Sequence, residues 1–393
     1  MFSKNNHQNS FLTKSSTKLQ QDLINKCVKK IFNEKFNDLY KCEQMAVVAD
    51  CKKYNEENFC RGFGNIGYEN LIKSLSSDNL DLIKNSLITL ENELKNTTKI
   101  PSAIGFGTVN KLSQILFKAS SFAKDGIMEN ALKILNFIAK DFKGSQAIAK
   151  DEKLLKIILE YMRTQKDLEE LCAEIFQSLT SVPHVANQLP TFISEEFQRH
   201  LQNSKNDKFF TALSNFIQNN PLNFVSVETI KILLENFNKT QALKCLSLIL
   251  NSEEGTKLAH SIKLEENLVG ILFNARDDET KVYTVMALRN CLINKEIFDD
   301  SSDFPWQHLL SKIVQMSKIK TNNLLQQSCF QLLRTMSDVD AVKNRMCKVY
   351  KKELREIACM TKEAKELKED LLDWLDYRNY YLNDDNKYSK YFI

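Results

Sequence analysis

An all-α fold of about seven stacked, irregular helical repeats, closed at each end by a helical cap, is what this sequence predicts. Three observations carry the prediction. The first is economy in turn residues: the 393 residues hold only 9 Gly and 5 Pro. All-β folds and α/β nucleotide-binding folds need more tight turns than that supply gives. The second is period. In "LQQDLINKCVKKIF", Leu19, Leu23, Ile24, Cys27, Val28 and Phe32 fall on one helical face. The third is self-similarity, and it is the most specific.

A helix opening of the form small-apolar-x-x-apolar recurs along the chain. It reads "SLITL" at Ser86, "ALKIL" at Ala131, "CAEIF" at Cys172, "ALSNF" at Ala212, "ALKCL" at Ala242, "ALRNC" at Ala287 and "CFQLL" at Cys329. The steps are 45, 41, 40, 30, 45 and 42 residues, so a shortened unit is expected between 212 and 242. A second element keeps phase: Gly144 follows Ala131 by thirteen residues, as Gly255 follows Ala242. At the same offset Cys172 is followed by "VANQL" and Cys329 by "VKNRM". Each unit therefore reads as a helix, a small-residue helix, a polar break and a short helix into the next unit. The small residue lets neighbouring backbones approach, where a larger one would hold them apart.

These motifs resemble the armadillo and HEAT-like helical repeat families, whose units run about 40 to 47 residues. The resemblance covers roughly residues 62–345 and implies a right-handed superhelical solenoid. The expected organisation is a disordered tail over 1–18, a helical cap over 19–61, repeats over 62–346, a capping helix over 347–376 and a docking tail over 377–393.

The stretch "RGFGNIG" holds Gly62, Gly64 and Gly67 in the G-x-G-x-x-G order of a dinucleotide loop. Such a loop needs a buried strand before it, and "CKKYNEENFCR" is too polar to be one. Its copy "IGFGTVNKLSQIL" repeats 43 residues later and loses the third glycine. The glycines are better read as ending one helix and opening the next. No cofactor is expected.

No catalytic or metal constellation stands out either. His7, His184, His200, His260 and His308 are far apart, and Cys42, Cys51 and Cys60 lack the paired spacing of a structural zinc site. P-loop and nucleophile-elbow motifs are absent. The ten cysteines, with no secretory leader, read as reduced thiols of an intracellular protein, several packed as small apolar side chains. No apolar run reaches the roughly 20 residues that span a bilayer. The net charge is +4, with basic residues scattered among acids as in "KDEKLLK"; neither nucleic acid nor membrane is an expected partner.

Nuclear-import adaptors of this architecture carry an asparagine ladder on their inner helices. The matching position holds Asn215 and Asn290 but Thr89, Ile134, Ile175, Cys245 and Leu332 elsewhere, and neither Trp306 nor Trp374 lies on those helices. The peptide clamp is thus largely missing, with Asn215 and Asn290 left as groove candidates or helix-end hydrogen-bonders. Near the C-terminus Ile357, Met360, Ala364, Leu367, Leu371 and Trp374 step by three and four, as a capping helix or a short coiled-coil seam. Beyond it "YRNYYLNDDNKYSKYFI" carries Tyr377, Tyr380, Tyr381, Tyr388 and Tyr391. So many tyrosines mark a docking peptide.

Two functions fit these residues. A non-enzymatic scaffold binds several other proteins in one complex. The segment "RGFGNIGYENLIKSLSSDNLDLIKNSLITL" is similar to the armadillo-type radial-spoke proteins of motile cilia over one unit. That resemblance implies a structural subunit of the axoneme. The alternative is an armadillo-type co-chaperone or regulatory adaptor acting reversibly on an ATPase or kinase.

Overall fold

The structure is a computed structural model that describes residues 64–119, 126–292 and 304–388, with side chains over 68–118, 126–292 and 304–376. All regular structure among these residues is helical. The chain divides into two compact units, Met1–Thr89 and Leu90–Ile393. The tail over 1–18 and the cap over 19–61 lie outside the described residues, as do Gly62, His7, Cys42, Cys51 and Cys60.

In the first unit α1 (Gly64–Ser74) starts on a glycine of the G-x-G-x-x-G pattern and holds Gly67 in its first turn. Gly64 does open a helix, but Gly67 is an ordinary helical residue and no separator. The second helix, α2 (Leu80–Leu94), is capped by Asn79, whose Oδ1 accepts from the Asp81 N–H at 2.9 Å. It runs on through the division at residue 89. Within the first unit Tyr68, Leu71, Ile72, Leu75 and Leu87 are buried, together with the small Ser86.

The second unit opens with α3 (Ile100–Gly105) and α4 (Thr108–Ala119), separated by Gly107 at φ +79°. A left-handed residue is what the glycine-led opening was expected to supply. Three helices then repeat in order. The first set is α5 (Ile127–Ala139), α6 (Phe142–Ala149) and α7 (Glu152–Thr164). The second is α8 (Lys166–Thr180), α9 (Pro183–Ala186) and α10 (Phe192–Leu201). The third is shortened as expected: after α11 (Asp207–Asn219) a single 3₁₀ turn, Pro221–Phe224, replaces the short helix, and α12 (Val227–Glu235) follows. Then come α13 (Thr240–Ile249), α14 (Glu253–Ser261) and α15 (Leu264–Asn274). The next long helix is α16 (Asp278–Cys291), followed by α17 (Trp306–Met316).

The long helices α5, α8, α11, α13 and α16 pack one on the next as an inner row. The small motif residue of each, Ala131, Cys172, Ala212, Ala242 and Ala287, has 0% exposure. It is followed by a fully buried Leu or Ala and flanked by Ile, Phe and Leu. Each such large side chain is worth about 1.5–3 kcal/mol when fully buried. The shortened unit is filled by phenylalanine: the Phe197 ring meets Phe176, Phe209 and Phe216 edge-on at 5.3, 5.4 and 5.6 Å.

The in-phase glycines have a steric cause. A Cβ on Gly144 would lie 2.1 Å from the Ile138 carbonyl oxygen, and on Gly255 2.2 Å from that of Ile249. In both units the short helix is laid directly on the last turn of the long one. An N-cap fixes the entry: Asp141 and Ser252 accept from the Gly144 and Gly255 N–H groups, both at 3.1 Å.

The chain ends differently. After α18 (Asn323–Met336) come α19 (Asp340–Arg345), a π turn at Met346–Tyr350 and α20 (Lys351–Glu356). The last helix, α21 (Lys362–Tyr388), packs on α18 and α20. Residues 347–376, expected as one capping helix, are thus broken over 357–361, so Ile357 and Met360 do not share a helical seam with Leu367 and Leu371. The helix also continues through the expected boundary at residue 376. Ala364, Leu371 and Leu375 are buried within this chain.

Candidate protein-binding surface

The inner row buries one side of each long helix and leaves another in contact with solvent. At the position after the buried pair of the motif stand Lys133, Glu174, Lys244, Arg289 and Gln331, all half-buried, while in α11 it is the buried Ser214. Neighbouring repeats are cross-linked there. Glu174 accepts from Asn136 Nδ2 at 2.7 Å and lies 3.4 Å from Lys208 Nζ, joining α5, α8 and α11. Lys239 meets Asp207 at 2.6 Å, and Arg289 donates to Gln331 at 3.0 Å. Half-exposed pairs of this kind contribute at most about 1 kcal/mol each. Their effect is to fix the register of adjacent repeats across a surface of mixed charge.

Helix ends complete one another between repeats. The Tyr161 hydroxyl donates to the Leu116 carbonyl at 2.8 Å, and the Asn290 amide to the Ser247 carbonyl at 3.0 Å. Both acceptors belong to the last turn of a helix, where carbonyls lack intrahelical partners. Asn290 is 8% exposed and so acts as a helix-end hydrogen-bonder. Asn215 is half-buried, and its carbonyl accepts from Asn219 Nδ2 at 2.9 Å. The other ladder positions in this unit, Ile134, Ile175, Cys245 and Leu332, are fully buried core residues. The two asparagines are not brought into one array.

Trp374 is engaged by its own chain. Its ring is met by the Arg334 guanidinium, 4.1 Å from the centroid, and by Lys343 Nζ at 4.4 Å. Its Nε1 donates to the Ser337 carbonyl at 3.3 Å, and its own carbonyl accepts from Lys343 at 2.6 Å. Burial pushes the Lys343 ammonium below the usual lysine range. Asp376, two residues on, accepts from Lys351 and pairs with Arg355 at 3.2 Å; the bond from Lys351 holds its carboxyl low. Tyr377, Tyr380, Tyr381 and Tyr388 continue the backbone of α21, but their side chains, and the whole of Tyr391, lie outside the described residues.

The titratable groups inside the stack are structural. Cys172, Cys245, Cys291 and Cys329 are free and fully buried, and burial pushes their thiols up, so they pack as small apolar side chains. His200 meets Glu169 at 3.1 Å and the Phe209 ring at 4.7 Å, and burial holds its imidazole low. Ser204 donates to the same Glu169 oxygen at 2.7 Å. Among the described residues no group of three or more His, Cys, Asp or Glu could hold a metal ion. No described helix is long and apolar enough to cross a membrane.

Sequence reasoning found the inner row but missed residues gathered from separate elements. One group lines a hollow of about 400 Å³ at the outer side of α17, with Phe273, His308, Lys312, Arg345 and Tyr350 in its wall. Another is Gln326, fully buried in α18, which bonds three backbone groups beyond its own helix.

No family model matches the chain and no curated protein matches its sequence. Solved structures do match in fold. A chain solved in work on the phosphorylation switch that controls the interaction between cadherin and β-catenin aligns with TM-score 0.56 at 14% identity. The alignment covers 75% of this chain and 58% of that one. An engineered protein aligns with TM-score 0.51 at 13% identity, over 79% of this chain and 89% of its own. The fold is an all-α, armadillo-like helical repeat.

Proposed function

We propose that this protein is a non-enzymatic scaffold that binds other proteins along its repeats. The observation that carries the reading is the inner row itself. Successive long helices stack with their outer side chains held in register by cross-repeat bonds such as Asn136–Glu174 and Arg289–Gln331. A surface fixed in that way loses little conformational freedom when a partner is laid along it. The structure of the cadherin–β-catenin work supports it by analogy of fold alone. At the finer level we propose a structural subunit of a large assembly such as the ciliary axoneme, an idea resting on the radial-spoke resemblance of residues 61–90.

Chemical crosslinking in native cells, followed by purification of the full chain and of a form ending at Asp376, tests this. A set of axonemal proteins, lost on truncation, is the expected result and gives the tyrosine-rich segment its docking role. A single chaperone or kinase retained on truncation would instead support the reversible adaptor. Recovery of the chain alone would overturn the scaffold.

A further inference from the structure

The hollow beside α17 gathers Lys312 and Arg345 in one wall. His308, Lys312 and Gln315 lie on the side of α17 turned away from the buried Leu309, Leu310 and Ile313. Phe273 comes from the end of α15, Arg345 from the end of α19, and Tyr350 from the π turn. Among the described residues no carboxylate lines the space. Several cations at this end are matched to acids: Lys318 meets Glu353 at 2.5 Å, Arg334 meets Asp338 at 2.7 Å, and Lys351 and Arg355 share Asp376. Among the described residues Lys312 and Arg345 have no such partner. Lys312 instead sits 5.7 Å from the centre of the Phe273 ring.

The wall combines positive charge with an exposed aromatic face. Phe273 is 43% exposed, so apolar surface faces solvent beside Lys312. The π turn adds a residue to the helical turn, an uncommon geometry that recurs at functional sites. Here it separates Arg345, the residue before the turn, from Tyr350 at its end, and both reach the hollow.

We propose that this hollow receives an acidic peptide segment of a partner protein, with a pair of carboxylates on Lys312 and Arg345 and an apolar side chain between them on Phe273. The proposal rests on the scaffold reading, since the occupant is a protein. Two fixed positive charges call for two carboxylates, and Arg345 can hold one in bidentate fashion. The space of about 400 Å³ holds side chains rather than a folded domain. Two cations are too few for a nucleic-acid backbone, which is tracked by a longer basic stripe. The site lies on an outer helix, away from the inner row, so it can be filled while that row is in use.

The test uses the full chain and a fluorescein-labelled peptide of sequence Gly-Glu-Asp-Phe-Glu-Asp-Gly, read by anisotropy. Lys312→Gln and Arg345→Gln are surface changes, and each is expected to weaken binding about tenfold. Lys257→Gln, on α14 and outside the wall of the hollow, is expected to leave it unchanged. The peptide with Gln and Asn in place of its acids is expected to bind at least about tenfold more weakly. Equal binding of the neutral peptide would reduce the site to an apolar patch and overturn the proposal. Equal binding by the two hollow variants, or none by the native chain, would overturn it as well. Full displacement by equimolar inorganic phosphate would identify a free-phosphate site and overturn the peptide as occupant. Should the peptide fail while crosslinking still recovers partners, the hollow alone is refuted. Absence of partners in crosslinking refutes the scaffold.

Discussion

Two junctions solve the same problem, seating one helix on the next, by opposite means. Between α5 and α6, and again between α13 and α14, the chain removes a side chain: Gly144 and Gly255 let backbone rest on the carbonyls of Ile138 and Ile249. Between α18 and α21 it adds one. Gln326 Nε2 donates to the Ser317 and Ala358 carbonyls at 2.9 and 3.1 Å, and its Oε1 accepts from the Met360 N–H at 3.0 Å. One buried amide thus holds the non-helical backbone of residues 358–360 against the last repeat. Internal units are joined by removing volume, which can be copied from unit to unit. The terminal unit is joined by placed hydrogen bonds and by Trp374, which serve one position only.

Breaking the added pin has the largest expected effect. Gln326→Met leaves the buried Ser317 carbonyl without its partner, releases the part-buried Ala358 carbonyl and Met360 N–H, and is expected to cost about 3–4 kcal/mol. Chemical denaturation reads the total, and hydrogen exchange at Met360 reads the local release. Gly144→Ala is next, about 3 kcal/mol, because the new Cβ meets backbone and no rotamer can relieve it. The same change at Gly270, where a Cβ would meet nothing within 4 Å, is expected to be neutral or slightly stabilising. Trp374→Phe keeps the ring but loses the bond to Ser337 and weakens the cation contacts, for about 1 kcal/mol in the unfolding midpoint.

The smallest effect is a pH dependence. Burial holds His200 below its ordinary value of 6.5, with Glu169 opposing that shift. The unfolded chain takes up a proton near that value and the fold resists, so stability falls as the pH drops through 6.5. It stops falling once the folded imidazole is itself protonated. His200→Gln is expected to flatten this part of the stability–pH curve, measured by thermal unfolding from neutral to mildly acidic buffer.

Much of the regular part was legible in the residues. The motif beginning at Ala131, Cys172 and Ala212 marks the inner helices because a helix packed on both neighbours must repeat its small residue at the repeat period. The short step from Ala212 to Ala242 correctly located the unit where one 3₁₀ turn stands in for a helix. The break over 357–361 was not legible. "IACMT" holds neither Gly nor Pro, and its apolar spacing continues the heptad of α21. What ends the helix there is Gln326, more than thirty residues earlier, a tertiary contact that overrides local preference. The hollow was hidden for the same reason: Phe273, Lys312 and Arg345 are neighbours only after folding. Trp374 looked like a partner-binding residue because its two cations, Arg334 and Lys343, lie on earlier helices.

The central claim is that each small motif residue sits at the contact between successive inner helices. Urea unfolding of Ala131→Leu and Ala287→Leu tests it most directly, beside Lys133→Leu, which changes a half-exposed residue two positions along the same helix. The account predicts a loss of about 1–3 kcal/mol for each alanine variant and less than about 0.5 for the lysine variant. Alanine variants as stable as the native chain would contradict the packing phase, and with it the inner row on which the proposed binding surface depends.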